Sequence, residues 1–168
     1  TEEPAVTRYP FLDADSFQPW VMPTVSTSPW LTATVHRRGY VDGFEKPHIL
    51  IPQGIRREEG VLRAAYVEQD MCFQHSIQAI RFPAQDKNRA KFLTAVLNSS
   101  LAAWYYFHTS ANFGADRAKV HEKQLLELPF PLPEDLPDPK GAQQAQDKIV
   151  ALIDTLLAHK DAAFVDPG

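Results

Sequence analysis

AVLNSSLAAWYYFHTSANFG, residues 95–114, is the stretch that decides the fold. Its first half is small and apolar, and its middle sets Trp104, Tyr105, Tyr106 and Phe107 side by side. Taken with the residues just before it, Leu93, Val96, Leu97, Ser100, Leu101 and Trp104 fall at i, i+3, i+4, i+7, i+8 and i+11. That is the spacing of one helical face. Successive helical residues point about 100° apart, so four adjacent aromatics cannot all face one core. The stripe predicts Leu97, Ser100, Leu101 and Trp104 as the buried face, with Phe107 joining Trp104 in the core. Tyr105 then points away, and Tyr106 falls between. The helix is expected to begin near Asp86-Lys87-Asn88 and to end before Gly114.

Upstream, the apolar period is two. WLTATVHRR (30–38) alternates and is β-branched, and PHILIPQGI (47–55) is a short apolar run bounded by Pro47 and Gly54. Both read as strands, the second as a buried one. RAAYVEQDMCFQHSIQAIRF (63–82) holds two β-like pieces with a turn near Gln69-Asp70. In the second piece Cys72, Gln74, Ser76 and Gln78 share one face, and Phe73, Ile77 and Ala79 the other. Residues 1–29 contain Pro4, Pro10, Pro19, Pro23 and Pro29 and read as an extended lead-in packed by Phe11, Phe17 and Trp20.

Downstream, KQLLELPFPLP (123–133) reads as extended, EDLPDPKG (134–141) as a linker, and Ile149, Val150, Ile153, Leu156 and Leu157 mark a second amphipathic helix over 142–161. Strands followed by helices imply an α+β fold: a small, mostly antiparallel or mixed sheet, one long amphipathic helix packed on it, and a C-terminal helix. The implied organisation is a lead-in (1–29), a main domain (30–133), a linker (134–141) and a C-terminal helix with its tail (142–168).

The 168 residues, 44% of them hydrophobic, suffice for one domain with a real core. A lone cysteine, Cys72, excludes an internal disulfide and fits the cytoplasm. No apolar run approaches the ~18 residues that span a bilayer, so no membrane partner is expected. The chain begins at Thr1 rather than Met, as a piece of a longer protein does. The net charge of −4 is unevenly spread. Residues 36–123 carry thirteen basic and nine acidic side chains, a net of +4, whereas 1–35 and 124–168 carry −3 and −5. A mildly basic middle between acidic ends is compatible with a polyanionic partner that touches only the middle.

Catalytic equipment is missing. The sequence has neither a G-x-G cofactor loop nor a G-x-S-x-G nucleophile turn. Cys72 and His75 form a C-x-x-H pair, but zinc needs about four ligands, and residues three apart on a strand face opposite ways. Asp138-Pro139-Lys140 lies in a proline-rich stretch with no acidic partner for a nuclease site. Asn98-Ser99-Ser100 matches a glycosylation acceptor inside the helical stripe of a chain without a secretion signal. No metal and no catalytic residue is assigned, and the residues read as a binding module.

FLTAVLNSSLAAWYYFHTSANFG followed by RAKVHEKQLLELPFPLP resembles the target recognition domains of restriction–modification systems. There, an L-N-S helix carrying aromatics precedes a variable loop and a leucine-rich segment that ends in a proline-rich strand. QQAQDKIVALIDTLLAHK resembles the helix that follows in type I specificity subunits and in fused methyltransferase–nuclease enzymes. PHILIPQGI and AAYVEQDMCF look like earlier strands of the same domain, so the resemblance covers about residues 44–160. It implies sequence-specific recognition of double-stranded DNA on behalf of an adenine-specific methyltransferase. The Asn-Pro-Pro-Tyr signature of that chemistry is absent from these residues. The resemblance therefore assigns methyl transfer, and the S-adenosylmethionine it uses, to an upstream methyltransferase domain; no cofactor is expected in this piece.

A DNA reader needs cations for phosphates and planar amides or guanidiniums for base edges. The middle supplies Arg37, Arg38, Arg56, Arg57, Arg63, Lys87, Arg89, Lys91, Arg117, Lys119 and Lys123, with Gln53, Gln69, Gln74, Gln78 and Asn112. Arg37-Arg38 and Arg56-Arg57 each follow an expected strand, where loops project from a rigid sheet. The loop HTSANFGADRAKVH (108–121) carries Asn112, Arg117 and Lys119 and leads to Lys123. Arg37, Arg38, Arg56, Arg57, Asn112, Arg117, Lys119 and Lys123 are the candidate DNA-binding residues. For any one of them a solvated surface role is the competing reading. The competing reading for the whole chain is a protein-interaction or scaffold domain of the same kind of enzyme, with no DNA contact.

Overall fold

The computed structural model describes residues 9–21, 41–54, 62–110 and 119–163. The architecture is α+β. Among the described residues there are six short strands: β1 (Phe11–Leu12), β2 (Trp20–Val21), β3 (His48–Pro52), β4 (Ala65–Val67), β5 (Cys72–Phe73) and β6 (Ile77–Arg81). The main sheet is mixed, in the order β2-β4-β3-β6, with β3 antiparallel to both neighbours and β2 parallel to β4. β1 and β5 pair apart from it, in parallel.

All five residues of β3 are buried, as its unbroken apolar run predicts. The reason is that both sheet faces are covered. Ile49, Ile51, Tyr66 and Ile80 point to the face on which the helices pack. Leu50, Ala65, Val67 and Ile77 point to the other, which Leu12, Phe17 and Met71 close. Of the lead-in aromatics, Phe17 is buried and Phe11 and Trp20 are partly so. The expected strand at 30–38 lies outside the described residues.

The segment 63–82 makes three strands rather than two, because a turn at His75-Ser76 separates β5 from β6. Phe73, Ile77 and Ala79 still share one cluster, as alternation predicts. Cys72 is buried and packs on Phe44. Its buried thiol donates to the carbonyls of Tyr9 and Pro10, while His75 is exposed in the turn.

The helical layer departs most from expectation. The single long helix is two: α1 (Lys87–Leu97) and α2 (Ser100–Thr109). At the junction Asn98 Oδ1 accepts the Ala64 N–H (3.0 Å), and its Nδ2 donates to the carbonyls of Ala64 (2.8 Å) and Thr94 (2.9 Å). One buried side chain thus completes the backbone pairing of the residue that leads into β4. Ser99 has extended dihedrals, and its Oγ accepts from Ala102 N–H (3.2 Å), so it is an N-cap that starts a new helix.

Restarting the helix resets its phase. Ala102, Ala103 and Tyr106 are buried, Tyr106 completely, whereas Leu101 is 70% exposed, Trp104 59% and Phe107 49%. The buried face counted across the junction is therefore wrong from Ser100 onward: Ser100 is exposed too, and Trp104 and Phe107 are not core. A 3.6-residue period holds only within one helix.

After α2, 123–133 is only partly extended: α3 (Glu122–Leu126) precedes the proline run. α4 spans Pro139–Ala163. Asp138 caps it, its Oδ1 accepting from Gly141 N–H (3.1 Å), with proline in the first helical position. Asp138-Pro139-Lys140 is thus a helix start. Val150 and Ile153 are buried and Leu157 packs on the core, but Leu156, expected on the same face, is exposed with Leu152. No helix among the described residues is long and apolar enough to cross a membrane.

Candidate nucleic-acid interface

Most described cations of the basic middle are already engaged. Arg63 Nη2 donates to the Phe17 carbonyl (2.7 Å), and its guanidinium lies over the Phe17 ring. Lys87 pairs with Glu68 (3.0 Å), Arg89 with Glu134, and Lys91 with Asp154 (2.6 Å) while sitting over the Tyr66 ring. Arg81 pairs with Glu45 (2.7 Å). Glu68 also accepts from Tyr66 Oη (2.6 Å). That bond, and then Lys87, hold its carboxyl below the usual range, while burial first and Glu68 second push the Tyr66 phenol up. These pairs tie β4, α1 and α4 together and cancel charge. Arg63, Lys87, Arg89 and Lys91 are therefore each engaged within the fold.

Lys119 and Lys123 differ. Both are exposed, and neither makes an ion pair with another described residue. Lys123 stands on α3. Lys119 forms an antiparallel bridge with Gly54, just beyond β3. Val120 N–H donates to the Gln53 carbonyl (2.8 Å), and Gln78 Nε2 to the Val120 carbonyl (2.9 Å). Gln78, a base-edge candidate in the sequence, uses its amide nitrogen within the fold. Arg37, Arg38, Arg56, Arg57, Asn112 and Arg117 lie outside the described residues. For Arg56, Arg57, Asn112 and Arg117 the flanking residues are described: 55–61 follows Gly54 and 111–118 precedes Lys119, and Gly54 and Lys119 are paired.

The attachment is held by a side chain that the sequence reading left between core and surface. Tyr106 Oη lies 3.0 Å from the Lys119 carbonyl and 2.9 Å from Gln124 Oε1, and it accepts from His121 N–H (2.9 Å). Ser110 Oγ donates to the same Gln124 oxygen (3.1 Å). The phenol has one proton for two acceptors; with the Gln124 amide in the opposite orientation, Nε2 donates to both Tyr106 Oη and Ser110 Oγ while Oη donates to the Lys119 carbonyl. Both ends of the segment 111–118, Ser110 and Lys119, are thus fastened to one buried ring. The sequence does carry a signal for Tyr106: counted from a Ser99 cap, positions 102, 103 and 106 make the inner stripe. Gln124, eighteen residues further on, carries none.

The chain belongs to the TaqI-like C-terminal specificity domain family, which residues 25–130 match. The matched segment takes in the whole main sheet except for its β2 edge, together with α1, α2, α3 and the Tyr106 cluster. No curated protein sequence matches the chain.

Proposed function

We propose that this specificity domain reads the sequence of double-stranded DNA and presents it to an adenine-specific methyltransferase domain of a restriction–modification enzyme. The single observation that carries the reading is the Gly54–Lys119 bridge. It joins the root of the segment bearing Arg56 and Arg57 to the root of the segment bearing Asn112 and Arg117, beside an exposed Lys119 that makes no ion pair with another described residue. A DNA reader uses guanidinium, amide and ammonium groups for base edges and phosphates, and the sequence supplies these residue types in the two segments that the bridge roots. S-adenosylmethionine is held by the methyltransferase domain, and the assembly works in the cytoplasm beside its DNA. The family match supports the recognition role.

The test is duplex affinity across a salt series. Arg56→Ala and Arg117→Ala are expected to weaken binding to the preferred duplex by tenfold or so each, in the range of a lost base contact of about 1–3 kcal/mol. If both variants bind like the unmodified chain, the reading fails. A scaffold role is the second reading, favoured by the outward apolar side chains Leu101, Trp104 and Phe107 on α2. It predicts tight association with a protein domain and indifference to DNA.

A further inference from the structure

The buried Tyr106 hydroxyl stands apart from the rest of the core chemistry. It is tied to backbone that leads outward to an exposed cation rather than to backbone of its own helix. A phenylalanine would fill the same space, so the oxygen is there for what it holds. It holds Lys119 by the carbonyl and His121 by the amide, at 3.0 and 2.9 Å. Gln124, at 2.9 Å, links the same point to Ser110 and to α3, where Lys123 stands.

We propose that Tyr106 is a positioning residue for DNA binding: through the Lys119 carbonyl it fixes where the Lys119 ammonium meets a backbone phosphate. The proposal rests on the DNA-reading function above. Phosphate contacts set the register of a protein on a duplex, and each one neutralised adds close to one to the slope of log affinity against log salt. Tyr106 is buried and touches no DNA, so it works only through the backbone of Lys119. Removing its hydroxyl leaves the Lys119 charge in place but frees the main chain that aims it.

The experiment is fluorescence anisotropy of the full chain on a short labelled duplex across a salt series, with Tyr106→Phe, Lys119→Ala and the double variant. Each single variant is expected to weaken binding about three- to tenfold at low salt and to lower the salt slope by about one. The double variant is expected to be no worse than the poorer single one within about twofold, because both changes remove the same contact. Hydrogen exchange should quicken at the His121 amide while β3 stays protected. If Tyr106→Phe does not fold, Gln124→Ala takes its place with the same expectation.

Wild-type slope and affinity in Tyr106→Phe, or penalties that multiply in the double variant, would overturn the positioning role and leave the DNA reading standing. So would a Lys119→Ala that binds unchanged. If the unmodified chain binds no duplex at all, the DNA reading falls, and this proposal with it.

Discussion

Asn98 pairs with both backbone groups of Ala64, accepting its N–H at 3.0 Å and donating to its carbonyl at 2.8 Å. One side chain at the α1–α2 junction therefore pairs with the residue that enters β4, whose carbonyl also accepts the Trp20 N–H at 2.7 Å. The junction ties the helical layer to the sheet.

Replacing Asn98 with alanine strands the buried Ala64 N–H, whereas the Ala64 carbonyl keeps the Trp20 N–H (2.7 Å) and the Thr94 carbonyl keeps the backbone N–H of residue 98. At roughly 1–3 kcal/mol for an unsatisfied group, Asn98→Ala should cost about 2 kcal/mol. Urea unfolding measures it. A loss below about 1 kcal/mol would mean that Ala64 finds water or another partner.

The reset helix phase makes opposite demands on neighbouring aromatics. Trp104→Ser, on the exposed face, should change stability by less than about 0.5 kcal/mol. Tyr106→Ala should cost about 3–5 kcal/mol from the cavity it leaves. Thermal melts of the two variants separate this phase from the one that a single helix would impose.

The ion pairs are unequal. Lys91 is 14% exposed and its partner Asp154 50%, whereas Arg81 and Glu45 are 47% and 40% exposed. Lys91→Ala should cost about 1–2 kcal/mol and quicken hydrogen exchange in α4, since it removes a sheltered tie to that helix. Arg81→Ala should cost under about 1 kcal/mol and fade into noise at high salt.

Acid should destabilise the fold from near neutrality. His48 is fully buried in β3; its Nδ1–H donates to the Gly43 carbonyl (3.2 Å), and Nε2 has no hydrogen-bond partner among the described residues. Burial, opposed by the Gly43 bond and the Asp70 charge, lowers its pKa from 6.5 to about 4. As pH falls below 6.5 the unfolded chain takes up a proton that the folded chain refuses. Stability is therefore full above that pH and is lost progressively down to about pH 4. Between about pH 7.5 and about pH 5 the loss should be about 2 kcal/mol, read from urea midpoints. His48→Leu should flatten that dependence. Glu68, held below its usual range, adds a further loss at more acid pH.

What the sequence discloses follows from how local each cause is. The run HILIP discloses a buried strand, because burial on both faces requires continuous apolar character. The α+β order and the C-terminal helix are legible for the same reason: their apolar periods are internal to each element. The α1–α2 break is half-legible, since N-S-S carries a cap, but its effect on phase depends on Asn98 reaching Ala64, thirty-four residues away. At the candidate site, Lys119 and Lys123 are visible as cations in the sequence. That Lys87, Arg89 and Lys91 are cancelled is not visible, because Glu68, Glu134 and Asp154 reach them only through the tertiary fold. The Tyr106–Gln124–Lys119 cluster is hidden in the same way.

Selection of duplexes from a randomised pool at low salt is the decisive measurement for DNA reading by this domain. One short consensus should be enriched and bound at least tenfold more tightly than a scrambled duplex of the same composition, with a lower preference in Arg117→Ala. Uniform recovery of all sequences by a folded chain, or enrichment unchanged by loss of Arg56 and Arg117, would contradict that reading.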